Sequence, residues 1–251
     1  MADTREVRAF ATEIKFVLDA AVAADVRRWA RKRLEPDPHG AGDARDEYLT
    51  TSVYFDTERL DVFHRRGSFG RSKYRIRRYG RDPVVFLERK LREPAVLAKR
   101  RTMAPLAALH RLTPIDPRTS WSGDWFHARL VARRLMPVCQ VSYRRTARIG
   151  TAAGSLIRLT IDDALAAQPS SSTHFRDEPG VPAIDGRQIL ELKFRYGTPA
   201  IFKRLVEEFA LTPEPASKYR LGMAATGQAR PADEQLRPSA DDAADSDAVH
   251  V

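Results

Sequence analysis

Five short segments of this chain carry charged residues at alternate positions: Glu13-Ile14-Lys15-Phe16, Lys73-Tyr74-Arg75-Ile76-Arg77, Phe86-Leu87-Glu88-Arg89-Lys90, Ile157-Arg158-Leu159-Thr160-Ile161-Asp162 and Leu190-Glu191-Leu192-Lys193-Phe194-Arg195. In an extended strand, residues i and i+2 share a face, so each segment has one mostly apolar face and one face of Lys, Arg and Glu. Guanidinium groups grip phosphate in bidentate fashion, and ammonium groups act as point charges. The interleaved carboxylates are hard oxygen donors of the kind that phosphate-bound Mg2+ or Mn2+ requires. Converging faces of this type suit a densely anionic ligand held with a divalent metal ion.

Periodicity alone leaves two arrangements open. The charged faces could be solvated around an apolar sandwich core, or they could point inward. Three features favour the inward arrangement. The faces are strongly cationic, whereas a passive surface mixes its signs. They tend to pair an acid with a base two residues along, and amphipathic helices provide separate apolar faces to cover a sheet from outside. An eight-stranded barrel encloses room for side chains or one narrow ligand. Unpaired cations crowded there would cost several kcal/mol each unless an anion fills the space.

The elements that must position these residues follow from the same patterns. A strand over Phe10–Leu18 leads to a helix from an Asp19 cap to about Leu34. Glu35–Asp46 reads as a loop, and Tyr48–Asp56 as a strand. Lys73–Tyr79 and Val84–Leu91 flank Gly80-Arg81-Asp82-Pro83 as a hairpin. A further strand covers 94–103, where Lys99 and Arg101 share one face and Arg100 the other; which face points inward is left open. Met103–Leu112 and Asp124–Met136 read as amphipathic helices, the second capped by Asp124. Pro137–Ile149 and Ser155–Leu165 form a second hairpin around Gly150–Gly154.

Gln168–Gly186 reads as a polar, Ser- and Pro-rich mobile loop, followed by a strand over Gln188–Tyr196. Thr198-Pro199 opens a helix to about Phe209 with Thr at the cap, and 217–225 is a short final helix. The expected class is α+β: an eight-stranded antiparallel barrel with helices packed outside. One domain is expected over 1–225, followed by a disordered acidic tail over 226–251.

The chain has 251 residues with a formal net charge of +10 and pI near 10.0, which favours acidic partners. The charge is uneven. From Thr226 onward, Asp233, Glu234, Asp241, Asp242, Asp245 and Asp247 face Arg230 and Arg237, so the tail is net −4 and residues 1–225 carry +14. Cys139 is the only cysteine, which excludes an intrachain disulfide and a multi-Cys zinc site. The six histidines lack ligand spacing. The N-terminal Met1–Glu6 stretch has no apolar core of a signal peptide, and no run is long enough to span a membrane, so a reducing cytoplasm is expected.

In order along the chain, eight segments resemble the VTC (vacuolar transporter chaperone) domain, the polyphosphate polymerase domain of the triphosphate tunnel metalloenzyme (CYTH-like) superfamily. They are Glu13–Phe16, Ser52-Val53-Tyr54-Phe55-Asp56-Thr57, Lys73–Gly80, Phe86–Lys90, Tyr143-Arg144-Arg145-Thr146-Ala147, Ile157–Asp162, Leu190–Phe194 and Ser217-Lys218-Tyr219. The resemblance implies a basic tunnel in which ATP donates its γ-phosphate to a growing inorganic polyphosphate chain, with Mn2+ or Mg2+ as cofactor. By motif position it implies phosphate-handling catalytic roles for Lys15, Arg75, Arg77, Lys90, Arg145, Arg158 and Lys218, with Lys193, Lys99 and Arg101 as further phosphate contacts. Alternation from Val141 and Tyr143 selects Arg145 over Arg144. Glu191 is the implied metal ligand, with Glu13 and Glu88 as further candidates; Asp56 and Asp162 are left open between metal ligands and salt-bridge partners.

Relative to eukaryotic members, neither a helical inositol-phosphate-sensing module nor a membrane-spanning segment is seen. A product exported through a membrane would therefore require a separate membrane protein as partner. Two other functions compete: a triphosphate or polyphosphate hydrolase on the same tunnel, and a non-catalytic polyphosphate-binding module. No nucleic acid is expected, because Phe16, Tyr74, Phe86 and Phe194 are read as falling largely opposite the charges, where they could not stack on bases.

Overall fold

The computed structural model describes residues 12–93, 96–112 and 120–229. The expected strand start at Phe10, the link at 94–95 and the tail from 230 onward lie outside the described residues.

Ten strands form one antiparallel sheet: β1 (Thr12–Leu18), β2 (Glu35–Pro36), β3 (Glu47–Asp56), β4 (Ser72–Tyr79), β5 (Val84–Glu93), β6 (Val96–Pro105), β7 (Met136–Ala152), β8 (Ser155–Pro169), β9 (Val181–Pro182) and β10 (Gln188–Phe194). Eight of them follow the order β1-β10-β8-β7-β3-β4-β5-β6, with β2 and β9 as short additions to β7 and β8. Among the described residues four α-helices accompany them: α1 (Ala20–Arg33), α2 (Asp124–Ala132), α3 (Ala200–Glu208) and α4 (Lys218–Ala225). The sheet curls without closing its ladder, because β1 and β6 remain at the two ends of the hydrogen-bonded order. Side chains cross the remaining gap: Glu13 on β1 lies 3.6 Å from Lys90 on β5.

Alternation decides which residues line the interior. Ile14, Phe16 and Leu18 on β1 pack outward with Ile157, Leu159, Ile161, Leu190 and Leu192. Against this face lie Ala23, Val26, Trp29 and Ala30 of α1 and Phe202, Leu205 and Val206 of α3. α1 ends where the extended residues before Pro36 stop the helix. Its last turn carries Arg31, Lys32 and Arg33, which complement the helix dipole. On the opposite wall, Phe126 of α2 meets the rings of Phe55 and Tyr74 from outside at centroid separations of 5.7 and 6.0 Å.

α4 is placed differently. Its Tyr219 stacks on Tyr54 at 5.3 Å, and Gly222 sits so tightly that a Cβ there would come within 2.9 Å of Val141 and 3.1 Å of Ala167 and Cys139. Three helices thus cover the barrel from outside, while α4 lies across its inner face and fills one end.

Several local expectations are corrected. Residues 103–105 finish β6, and 106–112 form a 3-10 turn in place of an amphipathic α-helix. The second helix stops at Ala132, and Gly123 rather than Asp124 occupies its cap; the Asp124 carboxylate instead accepts from the Trp121 backbone N–H. Pro199, not Thr198, caps α3. The expected loops at 35–46 and 168–186 contain β2 and β9. The β7–β8 hairpin is longer than expected because Ala153 and Gly154, at φ +47° and +71°, make a two-residue turn, the backbone pattern whose twist matches paired strands. Thr226–Ala229, assigned to the tail, belongs to the folded unit: Gln228 donates to the Val138 carbonyl and Ala229 packs on the core.

Candidate functional site

Strand register brings the alternating charges onto one enclosed face. Across β1, β10 and β8, Glu13, Lys193 and Arg158 stand in one row, and Lys15, Glu191 and Thr160 in the next. Asp162 is paired with Arg145 on β7. On the other wall, Arg75 is opposite Glu88 and Glu88 opposite Arg101, while Lys73, Lys90 and Lys99 form the adjoining row. Lys99 and Arg101 therefore face inward. Arg100 points away, with its guanidinium 4.2 Å from the Trp125 ring of α2.

The carboxylates are each held by several cations. Glu191 is 2.7 Å from Lys218, 2.8 Å from Lys193 and 3.7 Å from Arg145. Asp162, fully buried, takes Arg145 Nε and Nη2 at 2.6 and 2.7 Å and Lys218 at 2.6 Å. Glu88 is 2.6 Å from Arg75, 3.2 Å from Arg101 and 3.6 Å from Lys99. Glu13 lies 3.2 Å from Lys15 and 3.6 Å from both Lys90 and Lys193. Burial alone would raise the pKa of Glu191, but Lys193, Lys218, Lys15 and Arg145 hold it well below the usual carboxylate range. Burial likewise opposes ionisation of Glu88 and Glu13, yet the cations around each keep both well below that range.

Tyrosine hydroxyls set the arginines. Arg75 reaches Tyr54 at 3.3 Å, Arg77 reaches Tyr143 at 3.0 Å, Arg101 reaches Tyr79 at 3.1 Å and Arg158 reaches Tyr48 at 2.8 Å. Arg77 also donates to Ser52 at 3.2 Å, and Arg158 pairs with Asp37 at 2.8 Å. Lys15 donates to the Ala216 carbonyl at 2.9 Å, just before α4. These arginines and lysines are thus pointed before any ligand arrives.

The phosphate and metal candidates named from the sequence lie on this inner face or reach it; Asp56, left open between metal ligand and salt-bridge partner, instead accepts the backbone N–H groups of Thr57, Val62 and Phe63 and the Tyr219 hydroxyl. The tyrosines, Asp37 and Lys73 were missed. Lys73 shares the alternation of Arg75 and Arg77, so a signal for it was present; no local signal marked the tyrosines as guanidinium partners. Phe86 corrects the reading that placed it opposite the charges: it shares the face of Glu88, and the Arg101 guanidinium lies 3.6 Å from its ring centre. Arg144, as expected, points away and pairs with Asp163 at 2.8 Å.

Among the described residues, eleven cations meet here (Lys15, Lys73, Arg75, Arg77, Lys90, Lys99, Arg101, Arg145, Arg158, Lys193 and Lys218) against five carboxylates (Glu13, Asp37, Glu88, Asp162 and Glu191). Among the described residues no three His, Cys, Asp or Glu side chains come together as a metal-binding group. The Thr160 hydroxyl, opposite Glu191 across the ladder, is buried without a hydrogen-bond partner.

Comparison with solved structures finds similarity at low identity. A candidate adenylate cyclase from Bacillus halodurans matches with TM-score 0.50 and 14% identity, covering 83% of this chain and 94% of its own. HpAC1 from Hippeastrum, described as an adenylyl cyclase candidate with a dominant triphosphatase activity, matches with TM-score 0.47 and 13% identity over 85% of this chain and 95% of its own. At 14% identity the Bacillus halodurans likeness speaks for the fold alone. No curated protein matches the chain. The VTC domain family model matches residues 10–226, the span that builds both the barrel and its charged interior, and the chain belongs to the VTC domain family.

Proposed function

We propose that the protein is a polyphosphate polymerase that transfers the γ-phosphate of ATP to the end of an inorganic polyphosphate chain inside this barrel. The observation that carries the proposal is the charge imbalance of the enclosed face, eleven cations to five carboxylates among the described residues. Inside a low-dielectric lumen such an excess is tolerable with a polyanion threaded through it.

The chain's own residues perform the work of phosphoryl transfer. Arg75 and Arg77, braced by Tyr54, Glu88, Tyr143 and Ser52, present guanidinium forks to phosphate oxygens. Lys15 and Lys218 approach from β1 and α4 and neutralise charge that develops during transfer. A terminal acceptor oxygen attacks the γ-phosphorus in line, the bond to the β,γ-bridging oxygen breaks, and ADP departs with that electron pair. No protein nucleophile is required.

The donor set fits a metal that arrives with phosphate. Mg2+ and Mn2+ bound to phosphate need only one or two protein carboxylates, and Glu191 with the unpartnered Thr160 hydroxyl offers oxygen ligands of that kind. When bound, the metal would supply charge neutralisation on the transferring phosphate. Glu13 and Glu88 are further oxygen donors on the same face. Among the described residues no helix is long and apolar enough to cross a membrane.

The test is incubation of purified protein with ATP and Mn2+, with products resolved by 31P NMR and gel. Long-chain phosphate together with ADP is expected. Orthophosphate as the sole phosphate product would replace the polymerase reading with a hydrolase. Tight polyphosphate binding without ATP consumption would leave a binding module.

A further inference from the structure

Three aromatic rings stand among the cations at one end of the barrel. Tyr79 follows Arg75 and Arg77 in the inward alternation of β4, Phe86 precedes Glu88 on β5, and Tyr48 on β3 is paired with Arg145 on β7. Tyr48 meets Tyr79 at a centroid separation of 5.5 Å and an interplanar angle of 85°, and Tyr79 meets Phe86 at 5.5 Å and 60°. These contacts are edge to face, so no ring of the cluster is stacked flat on another. The Arg101 guanidinium lies 3.6 Å from the Phe86 ring centre and 5.6 Å from that of Tyr79. Met103, the cross-strand partner of Phe86, is 46% exposed. The start of α4 lies at the other end, where Ser217 meets Lys73 at the beginning of β4 and Tyr219 meets Asp56 at the close of β3.

Seating arginines does not account for this cluster. Tyr54 and Tyr143, whose hydroxyls meet Arg75 and Arg77, are buried, whereas Tyr48, Tyr79 and Phe86 are half-buried. Phe86 has no polar side-chain atom, and neither it nor Met103 offers anything to a phosphate chain. Apolar surface and ring faces beside phosphate-binding cations suit a ligand that is anionic at one end and planar at the other. We propose that Tyr48, Tyr79 and Phe86, with Met103 and the Arg101 guanidinium, form a stacking site for the base of a nucleoside triphosphate. This end of the barrel then distinguishes the donor nucleotide from inorganic polyphosphate. The assignment rests on the reading of the interior as a site of phosphoryl transfer from ATP. Bases stack on aromatic rings and on guanidinium planes alike. Inner-face positions on one strand recur about every 7 Å, so Tyr79, Arg77 and Arg75 span about 14 Å. A nucleotide with its base at Tyr79 lays its triphosphate along the two arginines. One such cluster holds one base, whereas a nucleic-acid strand calls for a succession of them.

The test is calorimetric binding to the full chain in metal-free buffer, with ATP and ribose 5-triphosphate as probes that differ only in the base. ATP should bind roughly tenfold more tightly, the scale of one stacked base. Phe86→Leu should remove most of that advantage and leave ribose 5-triphosphate nearly unchanged, while Phe86→Tyr, which keeps a ring, should preserve it. Met103→Ser, at an exposed position, should lower the ATP advantage in the same direction. Equal affinity of the parent for both probes, or an ATP advantage that survives Phe86→Leu and Met103→Ser, would overturn the site. Equal losses of both probes in Phe86→Leu would also overturn it, since the ring would then only seat Arg101. A parent that binds both probes equally loses the base site alone; one that binds neither loses the phosphate reading of the interior as well. If the base pattern appears while ATP and Mn2+ yield no polymer, the base site stands and the polymerase function falls.

Discussion

Lys218 donates to Glu191 across 2.7 Å, tying α4, which lies inside the barrel, to the strand that carries the central carboxylate. The same ammonium lies 2.6 Å from Asp162, so a single cation neutralises carboxylates on two neighbouring strands. Removing it leaves two buried anions with fewer partners. Lys218→Met should cost about 3 kcal/mol of stability, the lower part of the range for breaking a buried ion pair, because Arg145 still holds Asp162. Urea unfolding reads this directly, and an unchanged midpoint would contradict the pairing.

Under the proposed polymerase function, Glu191 should separate catalysis from binding. Replacing it with Gln removes a negative charge from a cationic lumen, so metal-free tripolyphosphate should bind at least as tightly as before. Turnover of ATP into polymer should fall by about a hundredfold or more, the scale expected for loss of one transition-state electrostatic group. Calorimetry beside a product assay distinguishes the two effects; weakened binding together with intact turnover would remove Glu191 from the proposed metal position.

The buried carboxylates predict the acid limb of the stability curve. Their folded pKa values lie below the unfolded ones, because Lys and Arg neighbours outweigh burial for Glu13, Glu88, Asp162 and Glu191. The stabilisation they give is therefore complete above the unfolded carboxylate pKa of about 4 and is lost as pH falls through the lower folded values. Melting temperature should hold from neutral pH to about pH 5 and drop below about pH 4. A decline beginning between about pH 7 and 5 would show that these pairs do not govern acid unfolding.

Tyr79 offers an optical reporter of the lumen. Burial raises its pKa, but Arg77 and Arg101 more than offset this and bring it down to about 8. Ultraviolet difference titration should show one tyrosine ionising near that pH, absent in Tyr79→Phe. Polyphosphate, by neutralising both guanidinium groups, should move the transition upward. A transition that ignores added polyphosphate would argue that the anion binds elsewhere.

Asp56 anchors α4 from below. Its carboxylate accepts the backbone N–H groups of Thr57, Val62 and Phe63 and the hydroxyl of Tyr219 at 2.5 Å. Tyr219→Phe keeps the stack on Tyr54 and removes one bond to a charged acceptor, worth about 1.5–3 kcal/mol. Thermal unfolding should show a loss of that order, smaller than for Asp56→Ala, which strands three backbone donors. Equal effects of the two variants would mean that the Tyr219 bond is the whole of the anchor.

Much of this was legible in the chain, because alternation is a local property. Glu13, Lys15, Arg75, Arg77, Glu88, Arg158, Glu191 and Lys193 share a face wherever their strands are extended, and Arg145 was separable from Arg144 by the same rule. The 103–112 segment failed because its apolar spacing fits a helix while pairing with β5 claims its first residues for β6. What only the tertiary structure decided is which anions and hydroxyls meet those cations. Lys99 and Arg101 turned inward because α2 takes Arg100 on the outside. Asp162 became the buried partner of Arg145 and Lys218, and α4 entered the barrel because Gly222 permits contact with Val141 and Cys139. Those partners are distant in sequence, so their meeting depends on strand order and curl, which a local pattern does not encode.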